Sequence, residues 1–367
     1  MSVTSGVPVL DLPLGEPRDP DEFLRAAMAW HFGPETGSPF WLSRAATLGF
    51  DPRTDVKTLD DLALFPNVTD ELRDVAARDL IPQGYGPDAP VVGVYESGGT
   101  TGAPKRVVLL QHWLDQDPDF LGAPLDAAGI PRGTDWLMLG PTGPHLVGEL
   151  VARTIRIRGG IPYTVDLDPR WVKTLAAAGR TDEVAAYVAH LLEQARHVLR
   201  GQRIGGLMTT PPLLEAIAAD DELAELVGEK VKGIMWGGAH MDEDTRALLR
   251  TEVWPGVPML GVYGSTMILG AAAERPGGSV DDPCVFDPPS PFTTFRVLDQ
   301  DTGRQVAYGE RGQVVMNHVS ASFLLPNNLE RDTAVRVAPP AGSVGDAVGE
   351  VGPLATFGES AVVEGVY

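Results

Sequence analysis

From residue 204 to 264 the chain alternates short apolar runs with longer amphipathic ones. "IGGLMTT" reads as a strand, "PPLLEAIAADDELAELV" as a helix opened by proline, "VKGIMWGG" as a buried strand, "MDEDTRALLRTEVW" as a helix and "PMLGVYG" as a third strand. Parallel neighbours in a sheet need a crossover connection, usually a helix, so this alternation predicts an α/β fold with parallel sheets flanked by helices. Two more helices are expected. "RDPDEFLRAAMAWHFG" opens on Asp19 and Pro20 and closes on Gly33, and residues 182 to 200 place Val184, Val188, Leu191, Leu192, Ala195, Val198 and Leu199 on one face. The pattern changes near residue 276, where "PGGSVDDPCVFDPPSPFTTFRVLD" is rich in proline and acid. "TTFRVLD", a turn at "QDTGR" and "GQVVMNHV" then predict a small, barrel-like β subdomain built on hairpins. The expected division is an α/β core over 1–290 and a β subdomain over 291–367.

Composition narrows the function classes. The 367 residues, 43% of them hydrophobic and 22% charged, describe a core-forming globular chain. A net charge of −21 lacks the basic footprint that nucleic-acid backbones need. It does not disfavour small anions, whose sites need only a few local donors. The single cysteine, Cys284, excludes an internal disulfide framework and a cysteine-built metal cluster. "MSVTSGVPVLDLPLGEPRDP" has neither a basic start nor a continuous apolar stretch, and "PMLGVYGSTMILGAAA" is too short and too interrupted to span a bilayer. A cytoplasmic protein without a membrane partner is the expectation.

The densest cluster of candidate ligand groups is "YESGGTTGAPKRV", residues 95 to 107. Glycines allow successive N–H groups to converge on one concavity, and such a concavity binds anions. Gly99 and Gly102 supply that freedom, Thr100 and Thr101 add hydroxyls, and Lys105, one of only five lysines, adds a point charge. A P-loop of the Gly-Lys-Ser/Thr type is excluded, since Ala103 and Pro104 precede the lysine. An ordinary glycine-rich turn is the competing reading. The run lies between "PVVGVY" and "RVVLLQHWL", hence at a strand end, where α/β proteins build ligand sites.

That run resembles the phosphate loop of the ANL superfamily of adenylate-forming enzymes, which includes acyl-CoA synthetases, nonribosomal adenylation domains and luciferases. Further segments resemble its motifs in the same order, over roughly residues 55 to 358. "PTGPHLVG" resembles the His-x-x-Gly element that sets His145 beside the carboxylate pocket. "WGGAH" resembles the segment along the adenine, giving Gly237, Gly238 and Ala239, and "VYGSTM" resembles Tyr-Gly-x-Thr-Glu. The resemblance implies that Tyr263 packs on adenine beside Gly264, that Thr266 meets the α-phosphate, and that His145, Gly238 and Gly261 border the acid substrate. Lys105, Thr266 and His145 are the implied catalytic set. "YGERGQVVMNH" resembles the hairpin before the ribose-binding aspartate, so "LERDTAVRV" offers Asp332, without the usual Thr-Gly in front of it. From the residues alone the competing readings are a core aromatic for Tyr263, against which its place before Gly264 and Thr266 speaks, a surface histidine for His145 and a turn residue for Asp332.

Two departures from the family pattern shape the expected chemistry. Met267 stands where the family has a glutamate that helps hold Mg²⁺, and a thioether is a poor ligand for that ion. Metal binding would then use phosphate oxygens and water, or another carboxylate such as Glu274. No lysine follows Lys232, and the sequence given ends where the family hinge would begin, so the mobile C-terminal domain with its lysine is expected to be absent. The phenazine-antibiotic biosynthesis adenylating proteins share that truncated form. Acyl-protein synthetases of bacterial luminescence are less similar, because they use a cysteine near the C-terminus and none follows Cys284. The resemblance therefore implies ATP- and Mg²⁺-dependent adenylation of a carboxylic acid, an aromatic one in specialised metabolism. The acyl-adenylate would pass to a separate reductase or acyl acceptor. A non-catalytic scaffold that binds nucleotide or acid is the alternative, and direct release of an acyl-CoA is a third.

Overall fold

The computed structural model describes residues 4–97, 103–278 and 282–354, with the backbone of 356–357 and 360–361. Its contacts divide the chain into two compact units, each assembled from three segments. The first contains Met1–Pro118, Ser265–Ala271 and Asp287–Val348; the second contains Asp119–Gly264, Ala272–Phe286 and Gly349–Tyr367.

After a short first helix, Pro8–Asp11, the first unit has helix Pro20–His31, which starts where its sequence predicts. Asp19 caps it by accepting the N–H groups of Asp21 and Glu22, and Pro20 takes the first helical position. An antiparallel pair follows, β1 (Val91–Glu96) and β2 (Arg106–Leu110), with Glu96 opposite Arg106.

The second unit holds the predicted α/β sheet. Its strands are β3 (Asp135–Gly140), β4 (Pro162–Asp166), β5 (Ile204–Thr209), β6 (Ile234–Gly237) and β7 (Met259–Ser265), in the order β4-β3-β5-β6-β7 and all parallel. Strands β8 (Gly270–Glu274) and β9 (Val285–Asp287) follow β7 in the sheet. Helices cover both faces of the parallel part. On one face Trp136, Met138, Met208, Met235 and Leu260 pack against Val151 and Ile155 of helix Leu146–Ile157. Each such side chain, fully buried, contributes roughly 1.5–3 kcal/mol. The stretch expected as one helix after β5 forms two, Pro211–Ala218 and Asp221–Lys230. Asp220 is the reason, because its carboxylate accepts the Leu223 N–H and starts a new helix.

Residues 293–337 return to the first unit as the predicted β region. Strands β10 (Thr293–Leu298), β11 (Arg311–Val319) and β12 (Leu324–Val337) form an antiparallel meander. Buried donors from the N-terminal segments end on its carbonyls. Trp30 Nε1 donates to Ala321, His31 Nε2 to Ser320 and Trp41 Nε1 to Leu324, at 2.6 to 3.0 Å. Strand β13 (Ala347–Pro353) closes the described fold.

Candidate functional site

In the second unit the parallel register brings the expected residues to one edge of the sheet. Leu139, Thr209, Trp236 and Gly261 are successive partners across β3, β5, β6 and β7. Just beyond this row lie the loop to His145, the segment Gly237–Ala239, and Tyr263–Gly264. These are the carboxyl ends of parallel strands, where such sheets bind ligands. His145 is half-buried and sits at the N-cap of helix Leu146–Ile157. Its loop is anchored by Asp166 at the end of β4, whose carboxylate accepts the Thr142 N–H at 2.8 Å. Gly238 is exposed with φ +83°, a conformation that favours glycine and turns the chain out of β6. Gly261 lies under the Trp236 ring, where a Cβ would come within 2.7 Å of it. Tyr263 is half-buried, its ring 5.7 Å from that of Phe286.

Three buried side-chain atoms at this edge have no hydrogen-bond partner: Thr209 Oγ1, Thr210 Oγ1 and Trp236 Nε1. Buried polar atoms are nearly always paired, so each of the three is a group whose hydrogen bonding a ligand or water would complete. Sequence reasoning missed these groups, although "TTPP" at a strand-to-helix junction was visible. It also missed that His240 is occupied: its Nδ1 donates to the Val351 carbonyl at 2.6 Å.

The carboxylate considered for metal is committed elsewhere. Glu274 is buried, pairs with Arg250 at 2.9 Å and Arg246 at 3.7 Å, and accepts the Gly261 N–H at 2.8 Å. It braces β7 and is not available as a magnesium ligand. Burial first, and the Glu274 charge second, push the neighbouring Cys284 thiol up to about 12, which leaves it inert as a nucleophile. Among the described residues, no group of three or more His, Cys, Asp or Glu side chains could hold a metal ion.

In the first unit the phosphate-loop residues Gly99, Thr100, Thr101 and Gly102 lie outside the described residues. The residues on either side join antiparallel strands β1 and β2, so this loop does not lead from a strand into a helix. Ser97 and Lys105 close its base: the Ser97 N–H donates to the Lys105 carbonyl at 2.9 Å, and the Lys105 N–H to Ser97 Oγ at 3.0 Å. Lys105 Nζ lies 3.0 Å from Asp70. Thr266 is half-exposed at the head of a single 3₁₀ turn, Thr266–Ile268. Two buried donors hold that turn. His318 Nδ1 donates to the Ile268 carbonyl at 2.7 Å, and Trp113 Nε1 to the Leu269 carbonyl at 3.0 Å. Leu269 itself has φ +51°, a left-handed conformation that costs a leucine energy and needs such support. Met267 is 4% exposed and belongs to the core. Asp332 lies within β12, half-exposed, and not in a turn.

The matches with known proteins agree with this architecture. Residues 182–321 match the family model described as AMP-binding enzyme. A 2-hydroxyisobutyryl-CoA ligase solved with 2-HIB-AMP and CoA is similar at a TM-score of 0.62, with 15% identity over 90% of this chain and 65% of that one. An open conformation of that ligase gives 0.61, again with 15% identity, over 93% and 75%. ATP-bound MatB from Rhodopseudomonas palustris is similar at 18% identity and a TM-score of 0.49, over 75% of this chain; the chain spans 48% of its length. No curated protein matches the sequence significantly. What these likenesses show is a fold, the mixed α/β architecture with a large central sheet, and a span, residues 182–321, that is similar to AMP-binding enzymes. Among the described residues, no helix is long and apolar enough to cross a membrane.

Proposed function

We propose that this protein adenylates a carboxylic acid with ATP, releasing pyrophosphate. The observation that carries the reading is the row of carboxyl strand ends in the second unit. There Gly237–Ala239, Tyr263 and the His145 loop follow strands of the row that also carries Thr209 and Trp236, and all of these but the His145 loop lie within the span similar to AMP-binding enzymes. In this reading Tyr263 offers a flat apolar face to the base. His145, Gly238 and Gly261 border the acid. In the first unit Lys105 and the Thr266 hydroxyl supply positive potential to phosphate oxygens as charge develops on them, and Asp332 takes the ribose hydroxyls. Holding the carboxylate in line with the α-phosphate contributes by proximity. Mg²⁺ would arrive with the nucleotide on phosphate oxygens and water, since the described carboxylates offer it no ready set.

The finer reading is an aromatic acid of specialised metabolism whose adenylate passes to a separate reductase or acyl acceptor. It rests on the resemblance to phenazine-type adenylating proteins. A panel of carboxylates in ATP–pyrophosphate exchange tests both levels. One acid should drive exchange, and hydroxylamine should trap its hydroxamate. Lys105→Ala should slow exchange by about 10²- to 10³-fold, the usual loss for one charge-stabilising donor. Coenzyme A should yield no acyl-CoA, and rapid thioester formation would overturn the separate-acceptor reading. The buried Met267 favours a second reading, a scaffold that binds nucleotide without reacting. Tight ATP and acid binding without pyrophosphate release would select it.

A further inference from the structure

The first unit carries a charge arrangement that the phosphate-loop motif does not contain. Lys105 Nζ lies 3.0 Å from Asp70 Oδ1, and Arg73 Nη1 lies 2.9 Å from the same oxygen. The 3₁₀ turn Thr69–Arg73 produces the second contact, because residues three apart eclipse in that geometry. Arg73 is also fastened to the loop itself, its Nε donating to the Ala103 carbonyl at 3.1 Å. The three side chains differ in exposure: 20% for Lys105 and 21% for Arg73, but 77% for Asp70. Two packed cations thus share one exposed carboxylate oxygen. An ion pair this open holds weakly, so the carboxylate is the replaceable member. A phosphate group carries more charge and more acceptor oxygens than a carboxylate, and it suits an arginine fork as well as a lysine point charge.

We propose that Asp70 is a placeholder for nucleotide phosphate, and that Arg73 is a second cation of that site, handed over with Lys105 when polyphosphate displaces the carboxylate. The proposal rests on the reading of residues 97–105 as a phosphate loop. Because a placeholder competes with the ligand, the apparent affinity is lowered by the fraction of chains in which the cations are held. Asp70→Asn should therefore tighten polyphosphate binding, by about 2- to 5-fold for an exposed pair. A carboxylate that merely braced Lys105 would give the opposite sign. Arg73→Gln should weaken binding by about 10-fold, the loss of one charge-assisted contact.

Calorimetric titration with ATP, and separately with inorganic tripolyphosphate, at one fixed salt concentration tests this. The proteins are the full chain, Asp70→Asn, Arg73→Gln, Lys105→Ala and Asp74→Asn, each first shown by thermal melting to be folded. Asp74 is an exposed neighbour whose neutralisation changes the net charge equally. The expected result is tighter binding of both probes to Asp70→Asn, unchanged binding to Asp74→Asn and weaker binding to Arg73→Gln. Affinity in Asp70→Asn that is unchanged, lower, or no better than in Asp74→Asn overturns the placeholder. Unchanged affinity in Arg73→Gln overturns the second cation. If Lys105→Ala also binds normally, the phosphate-loop reading itself fails; if only Lys105→Ala binds poorly, that reading stands and the present inference falls.

Discussion

At Met267, sequence and structure give one residue two meanings. In the motif "VYGSTM" it occupies a place where a carboxylate is expected, and a substitution to glutamate would look like a repair. The side chain is 4% exposed, so the position belongs to the core of the first unit. A glutamate there would be an unpaired buried charge or a protonated acid lacking partners, and either is costly. Met267→Glu should destabilise the protein by about 2–4 kcal/mol, whereas Met267→Leu, which conserves volume, should cost under about 1.5 kcal/mol. Denaturant unfolding of both variants checks this. A glutamate variant as stable as the parent would mean that its carboxylate finds a cation, and the metal reading would be open again. The same limit applied to Glu274. Its identity was legible, but its two arginine partners lie 24 and 28 residues upstream on a segment whose final fold brings them back.

The turn Thr266–Ile268 illustrates what sequence shows of an element and what it hides. That a Gly-x-Thr follows a buried strand was legible. That the turn hangs from Trp113 and His318 was not, because both donors come from distant segments of the same unit. Burial keeps the His318 ring neutral. With Nδ1 donating to the Ile268 carbonyl, the neutral ring leaves Nε2 to accept the Ser320 hydroxyl 2.8 Å away. Burial pushes His318 down to about 3 and His31 down to about 4; it lowers His112 as well. An unfolded chain protonates these rings below about 6.5, whereas the folded chain resists until far lower pH. The unfolded state therefore binds more protons in that window. Stability should be full above pH 6.5 and fall as pH drops toward 4, with His31 alone accounting for about 3 kcal/mol. Urea unfolding at a series of pH values should show this slope, reduced by about one proton in His31→Gln. A flat profile between pH 7 and 5 would contradict neutral buried histidines.

At the scale of the whole chain, the strand–helix alternation over 204–264 and the β region after residue 290 were both legible, because each is written in local periodicity. The assembly of the units was not, because each draws on three separated segments and no composition shift records that. This interleaving has a physical consequence for any shortened chain. The first unit's N-terminal helices send Trp30, His31 and Trp41 onto carbonyls of Ser320, Ala321 and Leu324. A fragment ending at residue 286 loses every one of those acceptors, together with strands β10, β11 and β12. The span 182–321, which alone matches the AMP-binding enzyme model, fares no better. It keeps β5, β6 and β7 but lacks β3 and β4, so β5 would present a bare edge and its face would lose the Trp136 and Met138 packing. Neither fragment should fold alone. Expressed separately, each should lack near-ultraviolet ellipticity and a cooperative melt, while residues 287–367 supplied in trans should restore both to fragment 1–286. A cooperative transition in either isolated fragment would show that the local patterns suffice and that the long-range acceptors are dispensable.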